Sequence, residues 1–201
     1  MIIKPTPVIY NSSMEKNPQF IIYTGSMWSG KTSSMLALLE RYKYQKKTVL
    51  AFKPKIDDRY SVDDITTHSG WSIPATAITA DWEIVSVLNE LEVPPDVIAV
   101  DEMFMIEKSS EVLIWLFRSG FNIVVSSLDL SATCTPFEEV KNILPWATEI
   151  HKCKAVCVVC GADAQYTYRT NDEEKNEIAI GGQNDYECRC SRCHPGFKTK
   201  D

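Results

Sequence analysis

The sequence predicts an α/β protein, a parallel sheet flanked by helices, with a small cysteine-rich domain at its C-terminal end. Three observations predict it. Between residues 20 and 145, β-prone runs and helix-period segments alternate four times, the pattern of parallel strands joined by crossover helices. A glycine-bearing turn stands between the first strand and the first helix. Six of the seven cysteines fall in the last 51 of 201 residues. Cysteines bunched this way, in a chain whose N-terminus has no signal-peptide h-region, suggest metal before disulfides.

Residues 1–18 mix Pro, Asn, Ser and Lys without a period and read as an irregular lead-in. Phe20–Thr24 is a short β-prone run. Thr32–Tyr44 places Met35, Leu36, Leu38, Leu39 and Tyr42 at largely helical spacing. Thr48–Phe52 is the second strand. Lys53–Ser72 is polar and reads as one long loop, and a loop of about 20 residues in a compact domain is usually functional or disordered. Ala80–Leu91 reads as a helix stopped by Pro94 and Pro95. Val97–Val100 is a continuous apolar strand ended by Asp101 and Glu102. Ser109–Arg118 is a helix stopped at Gly120, Phe121–Ser126 a fourth strand, and Pro136–Leu144 a short helix.

An apolar fraction of 44% supports a sizeable core, which excludes general disorder. Runs such as Val97–Val100 fall far short of the roughly 20 residues a membrane span needs, so the expectation is a soluble, cytoplasmic protein with no membrane partner. Residues 1–150 carry 13 basic and 19 acidic side chains, whereas residues 151–201 carry 8 of each. The net charge of −6 argues against broad contact with a phosphate backbone. Charge and cysteines together draw a boundary near residue 150, giving a lead-in (1–18), a main domain (19–150) and a metal-fixed domain (151–201).

Gly25, Ser26, Met27, Trp28, Ser29, Gly30, Lys31 and Thr32 match G-x-x-x-x-G-K-[ST] in full. The glycines let backbone N–H groups turn inward onto phosphate oxygens, and the helix running on through Ser33 adds its positive end. Lys31 reaches the β- and γ-phosphates, and the Thr32 hydroxyl ligates Mg²⁺. The loop makes the main domain an ATP-binding sheet of the P-loop NTPase type. It also gives meaning to Asp101 and Glu102, which would otherwise read as two solvated acids after a strand. Asp101 stands where ligands of open α/β sheets bind and is expected to hold Mg²⁺ opposite Thr32. Glu102 points elsewhere, toward an acceptor whose proton it could take, or toward a water it could orient.

Cys157 with Cys160, and Cys190 with Cys193, are two C-x-x-C pairs. Each puts two thiolates on one tight turn, and together they make a tetrahedral site suited to structural Zn²⁺. Combinations using Cys153 or Cys188, with His151 or His194 as substitute ligands, are the alternative. On the preferred reading Cys134, Cys153 and Cys188 are free thiols. The 29 residues between the pairs contain Ala164–Arg169, Ile178–Gly182 and Tyr186, which read as a β-ribbon with a glycine-bearing loop.

In this order the pieces resemble the cellular-type (type II) thymidine kinases over residues ~20–195, nearly the whole chain. The likeness is carried by the phosphate loop, Asp58-Arg59-Tyr60 with Thr67-His68-Ser69-Gly70, Val100-Asp101-Glu102, Leu128-Asp129 with Pro136-Phe137, Tyr166-Thr167-x-Arg169, Ile180-Gly181-Gly182 with Tyr186, and the two C-x-x-C pairs. The resemblance implies Mg-ATP-dependent phosphorylation of the 5′-hydroxyl of thymidine or deoxyuridine in deoxynucleotide salvage. It implies Glu102 as general base and Arg59 beside the transferring phosphate. It also implies a lasso-shaped loop in the zinc domain, about Tyr166–Tyr186, that holds the base by main-chain hydrogen bonds around Glu177, Ala179 and Gly181. Tyr186, Met27, Met105, Leu128, Ala132, Phe137 and Thr167 match the nucleoside pocket. Family members are tetramers or dimers inhibited by the end-product deoxythymidine triphosphate. Three positions depart from the family: Phe104 stands for an amide, and Met105 and Ala132 for aromatics, which leaves a looser pocket. The competing reading, a P-loop ATPase with a nucleic-acid-binding zinc ribbon, is disfavoured by the ribbon's zero net charge.

Overall fold

A six-stranded parallel sheet organises the molecule. The computed structural model describes residues 17–57, 63–67, 69–170 and 185–197. In chain order the elements are β1 (Phe20–Thr24), α1 (Lys31–Tyr44), β2 (Val49–Pro54), β3 (Asp64–Thr66), β4 (Ser72–Pro74), β5 (Thr76–Ile78), α2 (Asp81–Glu90), β6 (Val97–Val100), α3 (Ser109–Arg118), β7 (Asn122–Ser127), α4 (Glu138–Ile143) and β8 (Glu149–Lys152). The cysteine-rich end adds β9 (Ala155–Val156), β10 (Asp163–Ala164), β11 (Tyr166–Arg169) and β12 (Tyr186–Arg189). The sheet order is β5-β2-β6-β7-β1-β8, every pair parallel.

The inner strands are apolar along their middles because both sheet faces are covered, and their buried polar residues gather at the strand ends. β1 is buried at all five positions. Its Phe20 and Ile22 enter a core shared with Ile84 and Leu88 of α2, Leu113 and Leu116 of α3, and Val140 and Ile143 of α4. Its Ile21 and Tyr23 enter the opposite core, with Met35, Leu36 and Leu39 of α1. β6 and β7 alternate in the same way, Ile98 and Ile123 on the first face, Ala99 and Val124 on the second. Each fully buried large side chain contributes about 1.5–3 kcal/mol over its exposed state. α2 starts where the Glu83 carboxylate accepts the N–H groups of Thr79 (2.7 Å) and Ala80 (3.1 Å), which satisfies amides that the first helical turn leaves open.

The four predicted strands and four predicted helices are present within a residue or two of their expected ends. The structure corrects the reading of Lys53–Ser72 as one loop. β3 and β4 form an antiparallel hairpin there, and β5 follows as the sheet's edge. Each hairpin strand buries one isoleucine, Ile65 or Ile73, between two more exposed residues. A single period of alternation is too short to stand out in sequence. β8 is a second unforeseen edge strand; its side chains are mostly exposed, so backbone pairing to β1 alone defines it. The expected β-ribbon is present as the antiparallel pair β11–β12, while Ile178–Gly182 lie outside the described residues. No helix among those described is long and apolar enough to cross a membrane.

Candidate active site

The phosphate loop joins β1 to α1 at the C-terminal edge of the sheet. Its backbone takes shapes that a side chain would resist. Gly25 has φ 143°, and a Cβ there would lie 2.4 Å from the carbonyl oxygen of Cys153. Gly30, at φ 77°, caps α1 in the left-handed region. Gly25→Ala should therefore cost about 1–3 kcal/mol of stability and weaken nucleotide binding, as read by thermal melting and by titration with an ATP analogue. The Lys31 ammonium is buried and donates to Ser26 O at 2.9 Å, and Ser29 Oγ donates to the same carbonyl at 2.8 Å. Lys31, Thr32 and Ser33 form the first turn of α1, whose amides have no partner within the helix, so loop and helix end together favour an anion.

Asp101 follows β6, two strands away from β1. Thr32 Oγ1 donates to Asp101 Oδ1 at 3.1 Å, so the loop's hydroxyl and the acid meet although 69 residues separate them in sequence. Burial pushes the Asp101 carboxyl above the usual carboxylate range, and the neighbouring acid Asp57 adds to the effect; hydrogen bonds from Ser126 and Thr32 and the charge of Lys31 oppose it. A buried, crowded carboxylate beside a hydroxyl is a set of hard oxygen donors, and a divalent cation there would favour the ionised form. Glu102 is half-buried, with Oε2 out of solvent contact. Its backbone is left-handed, φ 45° and ψ 44°, at the start of the single turn Met103–Met105. That turn redirects the chain so that the two adjacent acids do not simply continue the pleat.

Cys157, Cys160, Cys190 and Cys193 converge, with their sulfurs all within 4.8 Å of one another. The Cys160 and Cys190 sulfurs are 3.6 Å apart. Zinc–sulfur bonds of about 2.3 Å in a tetrahedron set sulfurs about 3.8 Å apart, so the four residues fit structural zinc. Backbone N–H groups, led by that of Cys190, pull the Cys157 thiol down to about 6, whereas hydrogen bonding to the Cys160 sulfur pushes Cys193 up to about 12. Four thiols this close resist joint ionisation, and a dication would relieve that. The alternative histidine ligands are engaged elsewhere. His194 sits between Thr167 O (3.2 Å from Nε2) and the Gly196 N–H, which donates to Nδ1 at 3.1 Å. His151 stacks on Tyr23 with ring centroids 4.6 Å apart.

A family model described as thymidine kinase matches residues 18–194. A curated relative, the thymidine kinase of Mesoplasma florum, is 33% identical over 181 residues, covering 86% of this chain and 89% of the relative. The chain belongs to the thymidine kinase family.

Among the positions expected of a thymidine kinase nucleoside pocket, Met105, Leu128 and Phe137 pack around one core, where Phe104 meets the Phe137 ring at 4.4 Å between centroids. Ala132 is half-buried in the loop between β7 and α4. Tyr186 is buried and its hydroxyl accepts from Arg169 Nη2 at 3.0 Å. Met27 packs instead against the small zinc-domain core. Its N–H donates to Thr167 Oγ1 at 3.1 Å, and its carbonyl accepts from the Cys188 thiol. Thr167 and Cys188 are cross-strand partners in the β11–β12 ribbon, so one rung of the ribbon holds both polar groups of Met27. Arg59, Glu177, Ala179 and Gly181 lie outside the described residues. From sequence Cys188 reads as a spare thiol, and no motif singles out Asp57 or the serines of β7. The only available signal for the last two was polar residues at strand ends beside the acids.

Proposed function

We propose that this thymidine kinase transfers the γ-phosphoryl group of ATP to the 5′-hydroxyl of thymidine, with deoxyuridine as the alternative acceptor. The observation that carries this reading is the meeting of Thr32 and Asp101 at 3.1 Å, with the adjacent Glu102 leaving the strand in a left-handed backbone. The loop from Gly25 to Thr32 cradles the phosphates, and Lys31 balances charge on the transferred group. Thr32 and Asp101 would hold the magnesium of Mg-ATP, which supplies charge neutralisation across the β- and γ-phosphates. Glu102 accepts the proton of the 5′-hydroxyl, and Arg59 stabilises the developing phosphoryl charge.

The β11–β12 ribbon, fixed by zinc at the four cysteines, carries the lasso over the base. Main-chain groups near Glu177, Ala179 and Gly181 hold the base edge. Met105, Leu128, Phe137 and Tyr186 enclose it, Met27 and Thr167 tie the phosphate loop to the ribbon beside it, and Ala132 leaves room at its side. A dimer or tetramer in the cytoplasm, inhibited by deoxythymidine triphosphate, completes the reading. The test is transfer of radiolabelled phosphate from ATP to each of the four deoxynucleosides. Thymidine is expected to be the preferred acceptor by at least about tenfold, the net worth of roughly one hydrogen bond. Equal labelling of all acceptors, or of none, would sink the proposal.

A further inference from the structure

Two consecutive serines close β7, and the chemistry above uses neither. Ser126 and Ser127 are both wholly out of solvent. β6 and β7 run in register through Val100↔Val125, so the next position sets Asp101 beside Ser126, and the left-handed Glu102 then turns the chain so that Phe104 meets Ser127. The hydroxyls follow that placement. Ser126 Oγ donates to Asp101 Oδ1, the oxygen that also accepts from Thr32 Oγ1. Ser127 Oγ accepts the N–H of Phe104 at 3.2 Å and donates to Leu128 O at 3.2 Å. Phe104 is the middle residue of the single turn that follows Glu102.

These contacts do more than satisfy two buried hydroxyls. Rotation of a carboxylate about its Cβ–Cγ bond is a broad well. Two donors arriving from different elements, Ser126 from strand β7 and Thr32 from helix α1, fix that rotation for Asp101. A glutamate at φ 45° persists only where its surroundings over-determine it. The turn bonds Met105 N–H to Glu102 O and Ile106 N–H to Met103 O, both 3.0 Å, and the Ser127 hydroxyl ties the same turn to the sheet. We propose that Ser126 and Ser127 are positioning residues that divide the labour of the two adjacent acids. Ser126 holds the Asp101 carboxylate on the phosphate-loop side, and Ser127 pins the turn that aims Glu102 at the acceptor. Giving Asp101 to the metal and Glu102 to the acceptor follows the function proposed above, on which this division depends.

The test uses Ser126→Ala and Ser127→Ala in the full chain. Each removes one oxygen from the same buried strand end, so both keep the fold and any general loss of packing acts alike on the two. Calorimetric titration with β,γ-imido-ATP, once with Mg²⁺ and once with EDTA, reads the metal side. Titration with thymidine reads the acceptor side. Ser126→Ala is expected to lose roughly tenfold of the affinity that Mg²⁺ adds, about the worth of a hydrogen bond to a charged group, with thymidine affinity kept. Ser127→Ala is expected to do the reverse, weakening thymidine binding several-fold, as loss of a neutral hydrogen bond does, with the Mg²⁺ increment kept. Any pattern other than this crossed one overturns the division. A wild-type chain that binds Mg-imido-ATP but not thymidine would instead overturn the thymidine reading, and the Ser126 arm would still decide its own half.

Discussion

Glu102→Gln should reduce turnover by about 10²–10⁴-fold, the usual contribution of a general base, and leave affinity for Mg-imido-ATP unchanged. Glutamine has the size and shape of glutamate, so the half-buried side chain and the left-handed backbone are retained. What is lost is the ability to take the hydroxyl proton. The size of the loss is informative in itself. Phosphoryl transfer proceeds through a loose transition state in which positioning and charge outweigh covalent help, which favours the lower part of that range. Single-turnover rates with saturating ATP and thymidine measure it. Turnover within a few-fold of wild type would remove proton acceptance from Glu102.

Loss of zinc should disable thymidine binding far more than ATP binding. The zinc-domain core consists of Ala155, Cys157, Ala164 and Cys188, with Met27 and Trp28 against it. So little apolar surface does not hold a two-stranded ribbon together in water. Structural zinc supplies about 10–16 kcal/mol of apparent binding free energy at neutral pH in small domains, enough to account for the ribbon's order. Chelation, or Cys157→Ser, should therefore abolish detectable thymidine binding. ATP binding should weaken by at most roughly 30-fold, because Thr167 and Cys188 hold the Met27 N–H and carbonyl of the phosphate loop with two bonds of about 1 kcal/mol each. The sheet, with separate cores on its two faces, should keep its far-ultraviolet circular dichroism. Parallel loss of both ligands together with the sheet signal would show global unfolding instead.

The chemistry-bearing parts of this fold were legible because they are written in local patterns. The phosphate loop and the C-x-x-C pairs carry fixed spacing, and Phe20–Tyr23, Val97–Val100 and Ile123–Val125 are apolar stretches of strands buried on both faces. β8 was not legible, since Glu149–Lys152 has no apolar pattern and is a strand only through pairing with β1. The β3–β4 hairpin was hidden for a related reason: one buried isoleucine per strand makes no period. Within the site, motif spacing singled out Thr32, Asp101 and the four cysteines, and the structure brings the first two together and clusters the four sulfurs. It gave no hint that Cys188 and Thr167 share a rung that grips Met27. That relation arises from the register of two strands and the approach of a distant loop, and no one-dimensional spacing records it.

The position of β1 between β7 and β8 has a consequence for the order in which the protein is built. Phe20 pairs with Ile123, and Ile21 with Glu149, so the strand that launches the phosphate loop waits for partners more than a hundred residues downstream. β2 finds β6 after 48 residues, at Val49↔Val97, and β6 finds β7 after 25, at Val97↔Asn122. Loop closure grows costlier with length, and nearer contacts form sooner. Those three strands therefore assemble first, and β1 slides into its slot last. On that order the nascent chain holds Asp101 on a formed sheet before its phosphate loop is seated. Seating β1 between β7 and β8 is thus the step that closes the sheet around the phosphate loop, and the long chain separations place it late in assembly.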